Sequence, residues 1–103
     1  MTTATELPHA FVAKMIAKPG HEDALRALLE GAVELANAEA GTAVWFAVRT
    51  GPATFWIFDA FATDAARTAH AEGRIVEALS ANASLLAEAP EILPADVLAA
   101  KLP

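Results

Sequence analysis

Residues 41–61 read GTAVWFAVRTGPATFWIFDAF, and this stretch holds all but one of the chain's seven aromatic residues. Trp45, Phe46, Phe55, Trp56, Phe58 and Phe61 lie inside it, and Phe11 lies outside. Gly51-Pro52 divides it into two apolar runs, about 42–50 and 53–61, and so short a connection makes them an antiparallel hairpin. A half-exposed strand alternates apolar and polar residues, but these two are apolar on both faces. In the second run one alternating set is Phe55, Ile57, Asp59 and Phe61, and the other is Thr54, Trp56, Phe58 and Ala60. In the first, Val44, Phe46 and Val48 stand against Ala43, Trp45, Ala47 and Arg49. Such a hairpin needs a cover on each side, and it carries one carboxylate, Asp59, in its middle.

Upstream, HAFVAKMIAK (9–18) is short, apolar and closed by Pro19-Gly20, which predicts a strand and a turn. From His21 the period changes to 3.6. Leu25, Leu28, Leu29, Ala32, Leu35 and Ala36 form one stripe, Glu22 and Asp23 suit the positive end of a helix, and Gly41 suits its C′ position. Downstream, Thr63-Asp64 predicts an N-cap and first turn for a short helix over 63–71. Gly73 interrupts it, and a further helical segment over about 74–88 places Ile75, Val76, Leu79, Ala83 and Leu86 on one side before Pro90. The tail VLAAKLP (97–103) reads as a last strand, with Pro94 at an edge or bulge.

The order is thus β-α-β-β-α-β with the second helix broken: an α+β, ferredoxin-like arrangement in which helices cover one face of a four-stranded antiparallel sheet. At 103 residues the chain is one domain, with about residues 1–8 expected to be flexible. Because the helices cover one face only, the other presents Trp and Phe side chains worth on the order of 2 to 3 kcal/mol each on burial. A second subunit stacking its sheet on this face is the simplest cover, and a monomer with an apolar sheet face is the alternative.

Composition narrows the chemistry further. A net charge of −6, with scattered basic residues, argues against nucleic acid and anionic membranes as partners. No run approaches the roughly 18 to 20 apolar residues of a membrane span. MTTATELPHA lacks the pattern of a signal peptide, so a soluble cytoplasmic protein is expected. The absence of cysteine and tyrosine removes thiolate and phenol chemistry. His9 and His21 make no metal-ligand spacing with His70, and no phosphate loop or nucleophile elbow is present, so neither a metal nor a nucleotide site is expected.

The element order, PGHEDALRALLEGAVELANAEAGT, the hairpin with IFDAF, Ala69-His70 and the closing VLAAKLP resemble the antibiotic biosynthesis monooxygenase family of dimeric α+β barrels, over about residues 10–103. The resemblance implies a homodimer with sheets packed face to face and a C-terminal strand reaching toward the partner. It also implies oxygenation of a small quinol- or anthrone-like aromatic substrate by O2 without metal, flavin or haem, although the same fold serves isomerases, haem-degrading enzymes and proteins without demonstrated activity. His70 stands at the family's recurrent histidine position, as a general base or donor to a substrate oxygen. Alternatively it is a helix-end histidine bonded to a backbone carbonyl.

Asp59 stands where relatives carry an acid, and a carboxylate withdrawn from water is a candidate acceptor of a phenol proton. The structural alternative pairs it with helix amides, Arg67 or Arg49. Phe46, Phe55, Phe61, Trp45 and Arg49 are the candidate substrate-binding residues, one tryptophan being expected in the dimer core. Phe61 replaces the tryptophan of many relatives, and Arg74 replaces a second histidine, which weakens any transfer of roles from the haem-degrading branch. A non-catalytic dimeric ligand-binding or stress-response barrel is the rival reading.

Overall fold

The computed structural model describes residues 6–103. The elements are β1 (His9–Ile16), α1 (Glu22–Ala38), β2 (Val44–Arg49), β3 (Thr54–Phe61), α2 (Asp64–Ala71), α3 (Arg74–Ala81), a 3-10 turn (Ala83–Leu85) and β4 (Glu91–Asp96). One antiparallel sheet runs β2-β3-β1-β4, the split order of the expected ferredoxin-like α+β fold. The expected flexible N-terminus falls, for residues 1–5, outside the described residues; Pro8 is already tied by its carbonyl to the Val97 amide at 3.0 Å.

Register sorts the hairpin's faces. Trp45 pairs with Asp59, Ala47 with Ile57 and Arg49 with Phe55, and Asp59 and Phe55 in turn pair with Phe11 and Met15 of β1. These residues share the helix-covered side, where Met15, Phe55, Ile57 and Phe61 join Leu25, Leu29, Ile75, Leu79 and Leu86 in the core. The other side carries Phe46 opposite Phe58, Val48 opposite Trp56, and Val12 between Phe58 and Leu93. No helix among the described residues covers it, and Phe46 remains 57%, Leu93 51% and Val48 50% exposed. Trp56 therefore belongs to the open face, and Trp45 to the core side.

Three boundaries differ from expectation, each for a physical reason. The last strand is EILPAD, not VLAAKLP: Lys14 to His9 of β1 pair with Glu91 to Asp96, and β1 has no residues left to pair beyond Asp96. After Val97 the tail leaves the sheet, and Leu98 is 91% exposed. Pro94 is tolerated within β4 because that strand is the sheet's edge.

The helix expected over 74–88 ends at Ala81, where the Asn82 side chain donates to the Ala78 carbonyl at 2.8 Å and the chain tightens into the 3-10 turn. Gly41 is not the residue after the cap, since α1 is capped by Glu39. Its lack of a side chain serves close approach instead, because a Cβ there would lie 2.9 Å from the Ala66 Cβ of α2. The Thr63 N-cap forms as expected, accepting from the Ala66 amide at 3.0 Å.

Candidate functional site

Asp59 reaches the interior because β3 alternates: the positions that bury Phe55, Ile57 and Phe61 also turn Asp59 toward the helices. His70 faces it from the last turn of α2, whose register is set by the Thr63 cap two turns earlier. Their Asp59 Oδ2 and His70 Nε2 atoms lie 2.9 Å apart, with the residues 1% and 5% exposed. Neither Arg67 nor Arg49 approaches Asp59. Arg67 binds Asp64 at 2.9 Å and the carbonyls of Ala10 and Ala95, while Arg49 donates to the carbonyls of Gly51 and Pro52.

The opposite ring nitrogen has a partner that sequence reasoning missed. Glu39 Oε1 lies 2.5 Å from His70 Nδ1 and also accepts from the Thr42 hydroxyl at 2.7 Å. Glu39 is the C-cap of α1, and its extended backbone there (φ −88°, ψ 106°) takes it off the helix. Burial disfavours a charged ring, but hydrogen bonds and charge from Asp59 and Glu39 outweigh it, and the pKa of His70 is raised above its ordinary 6.5. With a carboxylate oxygen at each end, both ring nitrogens have an acceptor, an arrangement that favours the doubly protonated ring.

Asp59 Oδ1 is buried and has no hydrogen-bond partner among the described residues. Beside Asp59 and His70 is a cavity of about 110 Å³, otherwise walled by Phe11, Ala13, Ile57, Ala71, Val76 and Ile92. Phe61 backs the imidazole, with ring centroids 5.2 Å apart, and Phe11 meets Phe61 edge-on at 6.1 Å. The arrangement sets a carboxyl group at the wall of an otherwise apolar space that Phe11 helps to close. That is the disposition for binding a hydroxyl and accepting its proton.

The other candidate residues gather elsewhere. Trp45, Phe46, Arg49 and Phe55 line a separate, more open hollow of about 510 Å³ on the β2 side, closed by Arg26, Leu29, Glu30 and Val33 of α1. Arg49 there stacks over the Phe55 ring at 5.1 Å. Trp45 connects the two regions as the register partner of Asp59, and its indole nitrogen is buried without a partner among the described residues. His21 is exposed at the start of α1, as expected, and Arg74 is exposed at the start of α3.

No protein-family model matches the chain, and no curated protein matches it in sequence. Among solved structures it is similar to NE2512, a protein of unknown function from Nitrosomonas europaea, with 50% identity over 96% of this chain and 97% of that one and a TM-score of 0.93. Identity of this extent places the two chains in one family. The same fold recurs in a Nitrosomonas europaea protein named "Putative antibiotic biosynthesis monooxygenase" (17% identity, 84% of this chain and 95% of that one, TM-score 0.75). It recurs again in a Deinococcus radiodurans protein given the same description (18%, 91% and 96%, TM-score 0.78). The fold is thus the one that the resemblance to antibiotic biosynthesis monooxygenases implied.

Proposed function

We propose that the protein is a cofactor-independent monooxygenase that oxygenates a small quinol- or anthrone-like aromatic. The observation that supports this most is that Asp59, whose Oδ2 is held by His70 and whose buried Oδ1 has no partner among the described residues, lines an apolar cavity. In this reading the substrate's acidic O–H or C–H proton passes to Asp59. The resulting electron-rich carbanion reduces O2 and forms a C–O bond. The peroxide takes the proton back, and the remaining hydrogen on the same carbon then leaves as a proton while the O–O bond breaks, so that the expelled hydroxide departs with that proton as water and a carbonyl is left. One oxygen enters the product and the other leaves as water, so electrons balance without a further reductant. His70 stays charged throughout and serves as counter-ion to whichever oxygen is anionic.

At about 110 Å³ the cavity is smaller than the roughly 300 to 1,000 Å³ of usual ligand pockets, so the substrate presents a single ring edge to Asp59. The open sheet face completes the reading: Phe46, Val48, Trp56, Phe58 and Leu93 pack on a second copy, making the homodimeric barrel. Oxygen uptake with 1,4-dihydroxynaphthalene or an anthrone tests the activity, and Asp59→Asn should lose on the order of 10² to 10⁴-fold. Uptake no faster than autoxidation sinks it.

The small cavity and the two-sided hold on His70 favour one other reading, a non-catalytic dimer that binds a phenol. Phenol raising the Tm of the wild type, but not of Asp59→Asn, without any oxygen uptake would select it.

A further inference from the structure

Glu39 joins the site from 31 residues away, and several unrelated features of the chain converge on placing it there. The helix ends at Glu39 in an extended conformation, and the turn that follows is closed by the Thr42 amide donating to the Glu39 carbonyl at 3.2 Å. The Thr42 hydroxyl then holds the carboxylate at 2.7 Å. Across the gap, Gly73 separates α2 from α3 with ordinary backbone angles (φ −89°, ψ −173°), so it is not a glycine demanded by conformation. It is demanded by space: a Cβ at position 73 would lie 2.7 Å from Glu39 Oε2, and 3.2 and 3.3 Å from the carbonyls of His70 and Ala69. The break between the helices leaves room for a carboxylate against the imidazole.

We propose that Glu39 is a positioning residue of this site, holding His70 in its doubly donating form so that the ring keeps its Nε2 bond to Asp59 at the cavity wall. The proposal rests on the reading of Asp59 as proton acceptor, but its structural half can be measured without substrate. Every charged group around His70 fits it. Asp59 approaches from β3 and Glu39 from the end of α1, while Gly73, before α3, and Val76, on it, bring no charge to the ring. The nearest cation on α2, Arg67, is committed to Asp64 and to carbonyls of β1 and β4. Removing Glu39 leaves the ring with one carboxylate, free to lose its Nδ1 proton near neutral pH.

The test compares wild type, Glu39→Gln and Gly73→Ala by nitrogen-detected NMR of the His70 ring, and by the pH profile of quinol-dependent oxygen uptake. In the wild type both ring nitrogens carry protons at neutral pH. In Glu39→Gln the titration moves to lower pH by about one to two pH units, from the loss of one charged hydrogen bond, and the alkaline limb of the activity profile moves with it. Gly73→Ala, which keeps the carboxylate but occupies its place, shifts both the same way. An unchanged His70 titration in folded Glu39→Gln overturns the proposal. If the titration shifts but no variant consumes oxygen, the hold of Glu39 on His70 stands and the monooxygenase reading falls. If the titration shifts while an active enzyme keeps its pH profile, the positioning role is overturned.

Discussion

Asp59 and His70 meet at 2.9 Å where β3 faces the last turn of α2, and both are withdrawn almost completely from water. With Glu39 on the far side of the ring, three elements are fastened by one proton-bearing side chain. A buried charge persists only where partners replace its hydration, and here two carboxylates do so.

Stability should therefore depend on pH through His70. Its pKa is raised on folding, burial being outweighed by the two carboxylates, so the native state binds a proton that the unfolded chain releases near 6.5. The contribution is complete below 6.5 and is lost as pH rises through the folded value. Urea midpoints measured between about pH 6 and about pH 9 should fall more steeply for wild type than for His70→Gln. Parallel curves would remove His70 from the account.

Breaking the pair from the other side should be costly. Asp59→Ala leaves the imidazole with Glu39 alone and opens space beneath Phe11, and loss of one partner from a buried ion pair costs about 3 to 5 kcal/mol. Asp59→Asn keeps the shape and should cost less, while still abolishing proton acceptance. Denaturant unfolding of the two variants, compared with their oxygen uptake, separates stability from chemistry.

The two tryptophans should behave differently. Trp56→Glu puts a charge on the open face beside Val48, and should give a folded monomer by light scattering if that face seats a second copy. Trp45→Glu puts a charge on the core side beside Asp59, and should instead lower Tm sharply. A fully dimeric Trp56→Glu with wild-type Tm would show that the open face is not the interface.

Gly41→Ala should loosen the seat of α2. The new Cβ would lie 2.9 Å from the Ala66 Cβ, which cannot swing aside, so the helix must move. A cost of about 1 to 3 kcal/mol is expected, with a change in the His70 ring signals, because α2 carries His70.

Much of the fold was legible because its strongest signals are local. The 3.6 period of Leu25, Leu29, Ala32 and Ala36, the Thr63 cap and the Gly51-Pro52 turn each specify an element without reference to the rest. Alternation likewise placed Asp59 on the face of Phe55, Ile57 and Phe61. What was not legible depends on register and on long-range approach. VLAAKLP is more apolar than EILPAD, yet β1 has partners to offer only to the latter. Glu39 carries no local signal that sets it apart from the other acids of its helix. Its inward turn requires the Thr42 hydroxyl and the space at Gly73, and no spacing in the chain announces that combination.

The C-cap of α1 is thus also a latch between segments distant along the chain. Fraying is the commonest motion of a helix end, but here the last turn cannot open without releasing the Glu39 carboxylate from the imidazole and Thr42. Hydrogen exchange of the amides around residues 36–42 should accordingly report the charge on a histidine in another helix. The slow local openings of one segment would be set by protonation of the other.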